Sequence, residues 1–396
     1  MMPNYPDSDS ALDQALACSS GTAHVRQTLT LCRDWRSTPD SITLEPTYRI
    51  SGDGRVQARL EDHEIFLDEP VLLEPVHIAK PWGQEIWHSG IEARGECGVR
   101  TPAGVLPLSH YLALAPRRLT GGLPLVLLKI LDPDPEPVLG DLYFETHEQK
   151  QEVYVVTHVD PEAWPDGSGG IRFGMNQDLR RRYADDDAFR RDYLAAVQAY
   201  EAVRRDIDAG VAVAAGREAE LRAAMNAFTG MRELRVGDVV VVPTWLPHSL
   251  QHGVRVVEFQ TPTYERYIIS FAQQVLTQDH WDTEAAVARM HLDVPAPPRF
   301  EQLADGVENI VTFDDFRVWR VRVPAGSSLA LPVHASYLLC MGVQGQVTVG
   351  NLTLAPEQAA FVPGAALSAQ VNGAGIRLPR DAASKRLSVL LAAADL

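Results

Sequence analysis

The stretch "NQDLRRRYADDDAFRRDYLAAVQAYEAVRRDIDAG", continued by "GREAELRAAMNAF", interrupts a chain otherwise written in short β patterns. Its apolar residues recur at three- and four-residue spacing among Ala, Arg, Glu and Leu. That spacing predicts two or more amphipathic helices between about 176 and 229. On the N-terminal side, "ITLEPTYRI", "VQARL" and "EIFL" are short β runs punctuated by Gly, Asp and Pro. "LPLVLLKIL" (123–131) is a continuous apolar run and predicts a buried strand, and "EVYVVTHV" alternates as a half-buried strand does. Beyond the helical block the β pattern resumes in "LRVGDVVVVPTWLPHSL", "VRVVEFQT" and "YERYIISF".

A Pro-rich linker, "VPAPPRF" (294–300), precedes a last β region. There "FRVWRVRV", "SYLLCMGV", "QVTVG", "LTL" and "AAFVPG" predict five short strands of a small antiparallel sandwich or barrel. At 396 residues the chain is too long for one ordinary domain. The expected division is a polar N-terminal arm (1–39, with one weakly helical stretch), a β domain with the helical insertion (40–300) and a C-terminal β domain (301–396). The fold class expected is mainly β.

A formal charge of −16 argues against nucleic acid or an anionic membrane as partner, because those surfaces need excess Lys and Arg. A small anionic substrate stays open if its positive contacts are local. Four cysteines without a CxxC pair fit a reducing compartment. No basic, apolar leader and no long apolar run occur, so a cytoplasmic location is expected. The sequence leaves the oligomeric state open.

Chemistry concentrates in "YFETHEQKQEVYVV" (143–156). Alternate residues of a strand share a face, which puts Glu145 beside His147. A turn through "EQKQ" then returns the chain and brings Glu152 back to them. A fourth ligand, His248, follows the valine-rich strand after Gly237. Two carboxylates and two imidazoles suit a divalent metal with mixed N/O ligation: zinc first, with manganese, iron, cobalt or nickel also compatible. The bland reading is a set of solvated carboxylates and a surface histidine on a hairpin.

These two segments resemble the paired motifs of the cupin superfamily, with Glu145 in place of the first histidine and Trp245 in place of the second motif's glycine. Further stretches resemble the class I mannose-6-phosphate isomerases: "KPWG" (80–83), "LPLVLLKILD" (123–132), "ETHE" with "KQE", "GDVVVVPTWLPHSL" and "VVEFQTPTYERY". The resemblance covers about residues 80 to 390. It implies two cupin-type β-barrels, the first with a helical insertion and a metal, the second metal-free. It also implies a metal-dependent aldose–ketose isomerase acting on a sugar phosphate, most simply mannose 6-phosphate and fructose 6-phosphate. The chain departs from that family at Glu145, where a glutamine is usual, and at Thr261-Pro262-Thr263, where Ser-Asp is usual. Those departures motivate two alternatives, a sugar-phosphate-binding protein without catalysis and an Fe(II) oxygenase.

The residue roles then expected are Glu145, His147, Glu152 and His248 as metal ligands. Arg266 and Lys150 are expected in catalysis, with Glu258 as the proton-transfer base and Glu265 as its rival. Lys129, Trp82 and Glu265 are expected to contact substrate. Lys129 alternatively pairs with a buried acid, and Arg266 alternatively pairs with Glu258 or Glu265. His252, His158, His110 and His334 carry no partner pattern, and "RRRYADDD" reads as a solvated helix boundary.

Overall fold

The computed structural model describes residues 4–18, 22–276, 278–323, 328–329, 335–370, 376–377 and 387–394. The chain is mainly β, and three sheets position the site. A six-stranded sheet contains Val76–Lys80, Gly83–Trp87, Leu127–Pro133, Glu152–Val159, Val239–Val242 and Val254–Gln260. A five-stranded sheet contains Phe144–Thr146, Gly169–Met175, Thr229–Leu234, His248–Leu250 and Tyr267–Ser270. The two pack face to face through Tyr154, Val156 and Val240 from the first and Ile171, Leu250 and Ile268 from the second. Among the described residues no sheet closes into a barrel, so the expected pair of closed barrels is not seen.

Strand alternation decides what each face carries. In "EVYVV", Val153 and Val155 point away from the five-stranded sheet, while Glu152, Tyr154 and Val156 point toward it. The run "LLKIL" splits the same way: Leu128 and Ile130 join the large core, and Lys129 shares the other face with Leu131. The continuous apolar run is therefore a strand buried on both sides, with one charge admitted where the site lies.

That large core covers the outer face of the six-stranded sheet. It gathers side chains from Leu12 to Ala394, including Tyr48, Tyr337, Phe361 and Leu390. The C-terminal strands Phe316–Val323, Tyr337–Gln344 and Ala359–Pro363 belong to a nine-stranded sheet. Strands Val71–Glu74, Gly98–Thr101 and Gly104–Pro107 join the same sheet, Val71 pairing with Phe361.

The helical segment covers the outer face of the five-stranded sheet. Gln177–Arg180, Asp186–Asp208 and Arg217–Asn226 lie in the predicted interval. Phe189, Tyr193, Val197 and Tyr200 form the buried stripe of the long helix and pack with Phe144 and Ile269. The acidic run has a structural use. The Asp185 side chain accepts from the Ala188 amide as N-cap, and Asp186 and Asp187 occupy the first turn. Arg180 reaches Asp186 at 2.7 Å and Asp293 at 2.6 Å.

Candidate functional site

Between the two sheets lies a cluster of buried polar groups. Glu145 and His248 sit directly opposite each other on neighbouring antiparallel strands, so their side chains share the inner face. His147 follows immediately after the strand Phe144–Thr146. Donor atoms of Glu145, His147 and His248 all lie within 4.8 Å of one another, an arrangement that can hold a metal ion.

The expected hairpin is not what brings Glu152 here. Residues 147–151 carry the chain from the five-stranded to the six-stranded sheet, and Glu152 faces the histidines across the sandwich. Its Oε2 lies 3.1 Å from His248 Nε2, and its Oε1 lies 3.5 Å from His147 Nε2. Lys150 Nζ stands 2.5 Å from Oε1, and the Tyr154 hydroxyl donates to Oε2 at 2.6 Å. Burial alone would raise the Glu152 carboxyl. Lys150, His147 and His248 outweigh burial and hold it well below the usual range, so it is ionised.

The ring nitrogens are oriented for ligation. His147 Nδ1 is 3.0 Å from the Glu265 carbonyl, and His248 Nδ1 is 3.0 Å from the Leu246 carbonyl. Each Nδ1 therefore carries the proton, leaving the Nε2 lone pair aimed into the cluster. Burial, then Lys150, pushes His147 well below its ordinary value, so its imidazole is neutral. His147 Nε2 and Glu145 Oε2 are buried without hydrogen-bond partners. Orphaned atoms of this kind in a buried site are what a bound cation would satisfy, and the donor set fits one.

A second layer of charge flanks the cluster. Lys129 is buried and lies 3.2 Å from Glu258 Oε2 and 4.0 Å from Glu85 Oε2. Of the two readings of Lys129, pairing with a buried acid describes its contacts. Glu85 also receives Lys80 at 3.1 Å and Trp87 Nε1 at 2.6 Å. Burial would raise Glu85, but Lys129, Lys80 and Trp87 overcome it and hold the carboxyl at about 2. Glu258 goes the other way. Burial, with Glu152 and Glu85 nearby, raises it well above its ordinary value against the pull of Lys129 and Lys150. The site thus sets carboxyls held down by cations beside one that is raised.

Arg266 precedes the strand Tyr267–Ser270, lies 3.7 Å from Glu145 and sits over the Tyr143 ring at 4.6 Å. The Glu265 carboxylate accepts from the backbone amides of Glu148 at 2.8 Å, Gln149 at 3.1 Å and Lys150 at 3.4 Å. With those contacts it holds the 148–150 segment in place. Trp82 is buried among Leu131, Tyr143 and Tyr154, lining the inner face. His252 pairs with Asp141 at 2.7 Å away from the cluster, and His158 is exposed; His334 lies outside the described residues.

Sequence reasoning missed Glu85, Tyr154 and the role of Lys80. Tyr154 was findable, since it lies two residues after Glu152 and must share its face. Glu85 was a single acid in "GQEIWH", and only the register Leu131–Glu85 places it beside Lys129. Trp245 fills the glycine position of the second motif in the left-handed region, φ 59°. Its amide donates to the His147 carbonyl at 2.6 Å, tying the two ligand segments together.

The fold is similar to that of mannose 6-phosphate isomerases with solved structures. The mannose-6-phosphate isomerase of Bacillus subtilis superposes with a TM-score of 0.56 at 16% identity, covering 82% of this chain and 99% of that one. The apo enzyme of Salmonella typhimurium gives 0.59 at 11% identity, over 83% and 100%. A zinc-bound mannose 6-phosphate isomerase gives 0.59 at 11%, over 81% and 99%. At these identities the likeness is one of fold. No family model matches the sequence. No curated protein matches it either. No helix among the described residues is long and apolar enough to cross a membrane.

Proposed function

We propose that the chain is a metal-dependent sugar-phosphate isomerase, with mannose 6-phosphate and fructose 6-phosphate as the first substrate pair to test. The observation that carries this reading is the donor cluster of Glu145, His147 and His248, with the buried, raised carboxyl of Glu258 near it. Aldose–ketose interconversion moves a proton between C1 and C2 through an enediol, which needs a group able to give and take a proton near neutrality. Glu258 is our choice for that group, because burial raises its carboxyl well above the ordinary value.

In this reading Glu145, His147, His248 and Glu152 hold the metal, with zinc the first candidate. When bound, a divalent ion supplies Lewis-acid polarisation of the substrate oxygens. Lys129 orients Glu258 and stabilises its ionised form when the proton leaves. Arg266, fixed by Glu145 and Tyr143, presents a planar donor set to an oxyanion or phosphate. Lys80, Lys129, Lys150 and Arg266 provide the local positive charge that the overall charge of −16 lacks. Trp82, Tyr143 and Tyr154 form the apolar floor that keeps water out.

The test is a coupled assay of mannose 6-phosphate turnover on protein loaded with zinc, manganese or cobalt. Absence of turnover on any hexose or pentose phosphate by metal-loaded protein would refute the isomerase reading. A second reading, sugar-phosphate binding without catalysis, is favoured by one observation: Lys150 and Tyr154 already engage both oxygens of Glu152. Calorimetric binding of a sugar phosphate with no C2 proton exchange in deuterated water would select it.

A further inference from the structure

A cavity of about 340 Å³ lies beside the cluster and shares no residue with it. Leu112, Leu123, Leu125, Leu127 and Pro262 give it apolar patches between the polar Asn4, Ser89 and Thr120, and Tyr264 closes the side toward Arg266. Leu127 is paired with Gln260, which is in turn paired with Glu152, so the cavity begins two strands from the proposed metal ligands. Its one lining carboxylate, Glu92, is neutralised by an ion pair with Arg94. Arg94 is stacked over the Trp87 ring at 4.9 Å and the Tyr264 ring at 4.3 Å.

We propose that this cavity is a binding subsite for a compact, uncharged apolar group, and that Tyr264 couples its occupancy to the metal cluster. The volume suits a group of roughly ten to fifteen heavy atoms, the low end of small-molecule sites, and is too small for a polypeptide segment. Neutralisation of Glu92 by Arg94 removes the one charge that would select a cation. Coupling follows from contacts on the far side of the same ring. Arg266 Nη2 donates to the Tyr264 hydroxyl at 3.4 Å, and Arg266 lies 3.7 Å from Glu145. A ligand that shifts Tyr264 shifts the guanidinium that neutralises a metal-ligating carboxylate, and by linkage the metal shifts the ligand's affinity equally. Only this coupling rests on the metal-centre reading.

The probe is 1-naphthylamine, an uncharged fluorophore within that size, titrated into metal-free full-length protein. Saturable binding at one probe per chain is expected. Leu125→Trp and Ile91→Trp fill the cavity from two walls, and each should weaken the probe by about ten-fold or more while the thermal midpoint stays near that of the parent. Absence of saturable binding, or unchanged binding in whichever filled variants remain folded, overturns the subsite. Phenol displacing the probe assigns the subsite to a free apolar molecule. A phenyl glycoside 6-phosphate displacing it much better than phenol assigns it to a group carried on the sugar. Probe binding should change zinc affinity by about five-fold or more, and Tyr264→Ala should abolish that change while zinc still binds. A zinc affinity indifferent to the probe overturns the coupling. Failure to bind zinc at all removes the metal reading and leaves the cavity result standing.

Discussion

His248 presents Nε2 to Glu152 Oε2 at 3.1 Å while its Nδ1 is tied to the Leu246 carbonyl at 3.0 Å. A ring whose Nδ1 already donates can meet a carboxylate through Nε2 in only two ways, by taking a second proton or by sharing a cation. The site is built around that choice. Protons and metal compete for the same nitrogen, so metal binding releases protons and weakens as pH falls.

His248→Ala is expected to lose most bound metal, because it removes the donor contributed by the second motif. Glu145→Gln should keep a metal but alter the order of activation among zinc, manganese, cobalt and nickel, since a neutral amide donates less charge to the ion. Elemental analysis after dialysis and activity with each ion check both. Full metal content in the His248→Ala protein would remove it from the ligand set.

Lys129 sits between Glu258 and Glu85 at 3.2 and 4.0 Å in a buried layer. Lys129→Met leaves those carboxyls without their shared cation and should cost about 3 kcal/mol or more in urea unfolding. Glu258→Gln should cost less, because Glu258 already favours its neutral form. Combining the two substitutions should recover part of the Lys129→Met loss. If the double variant is as unstable as the sum of the singles, the two side chains are not coupled.

Trp245 holds φ 59°, and its ring stacks near Tyr267 at 5.2 Å and Arg289 at 5.4 Å. Trp245→Ala and Trp245→Gly lose the same ring contacts, but only alanine keeps the left-handed strain. The glycine variant should therefore be the more stable by about 1 kcal/mol. Equal thermal and urea stability of the two would show that the positive φ is not maintained in solution.

His88 is buried, and neither of its ring nitrogens has a partner. Burial, then His77, lowers it to about 4. The unfolded chain takes up the proton near 6.5, before the folded one does. Stability from keeping this ring neutral is thus fully present above about 6.5 and is lost as pH falls toward 4, by roughly 3 kcal/mol. His88→Phe should flatten that part of the stability–pH curve measured by urea unfolding. An unchanged slope between pH 6.5 and 4 would assign the acid sensitivity to other groups.

Much of this site is local, and local relations were legible. Glu145 and His147 are two residues apart, Gly237 and His248 are joined by one strand and one loop, and the helical block declares itself by its period. The C-terminal strands were legible from turn spacing for the same reason, down to Val347–Val349 and Leu352–Leu354. What failed was inference across the sandwich. "EQKQ" looks like a hairpin because four polar residues between two β runs usually are one. Only sheet membership shows that the chain crosses from one layer to the other there.

The sequence by itself determined the mainly β class, the position of the helices and the residue types offered to the cluster, because each depends on periodicity or composition within a few residues. Tertiary structure alone decided which carboxyls are ionised. Glu85, Glu152 and Glu258 are chemically the same side chain, and all three are buried. Burial raises every one of them, and their fates separate on the charges that the fold sets beside each. Lys129 and Lys80 hold Glu85 down, Lys150 holds Glu152 down, and Glu258 is left raised by burial with Glu152 and Glu85 beside it. Electrostatic energy in a low-dielectric interior depends on distances of a few ångströms, and the approach of Lys129 to Glu85 and Glu258 is set by pairing between strands, not by adjacency in the sequence.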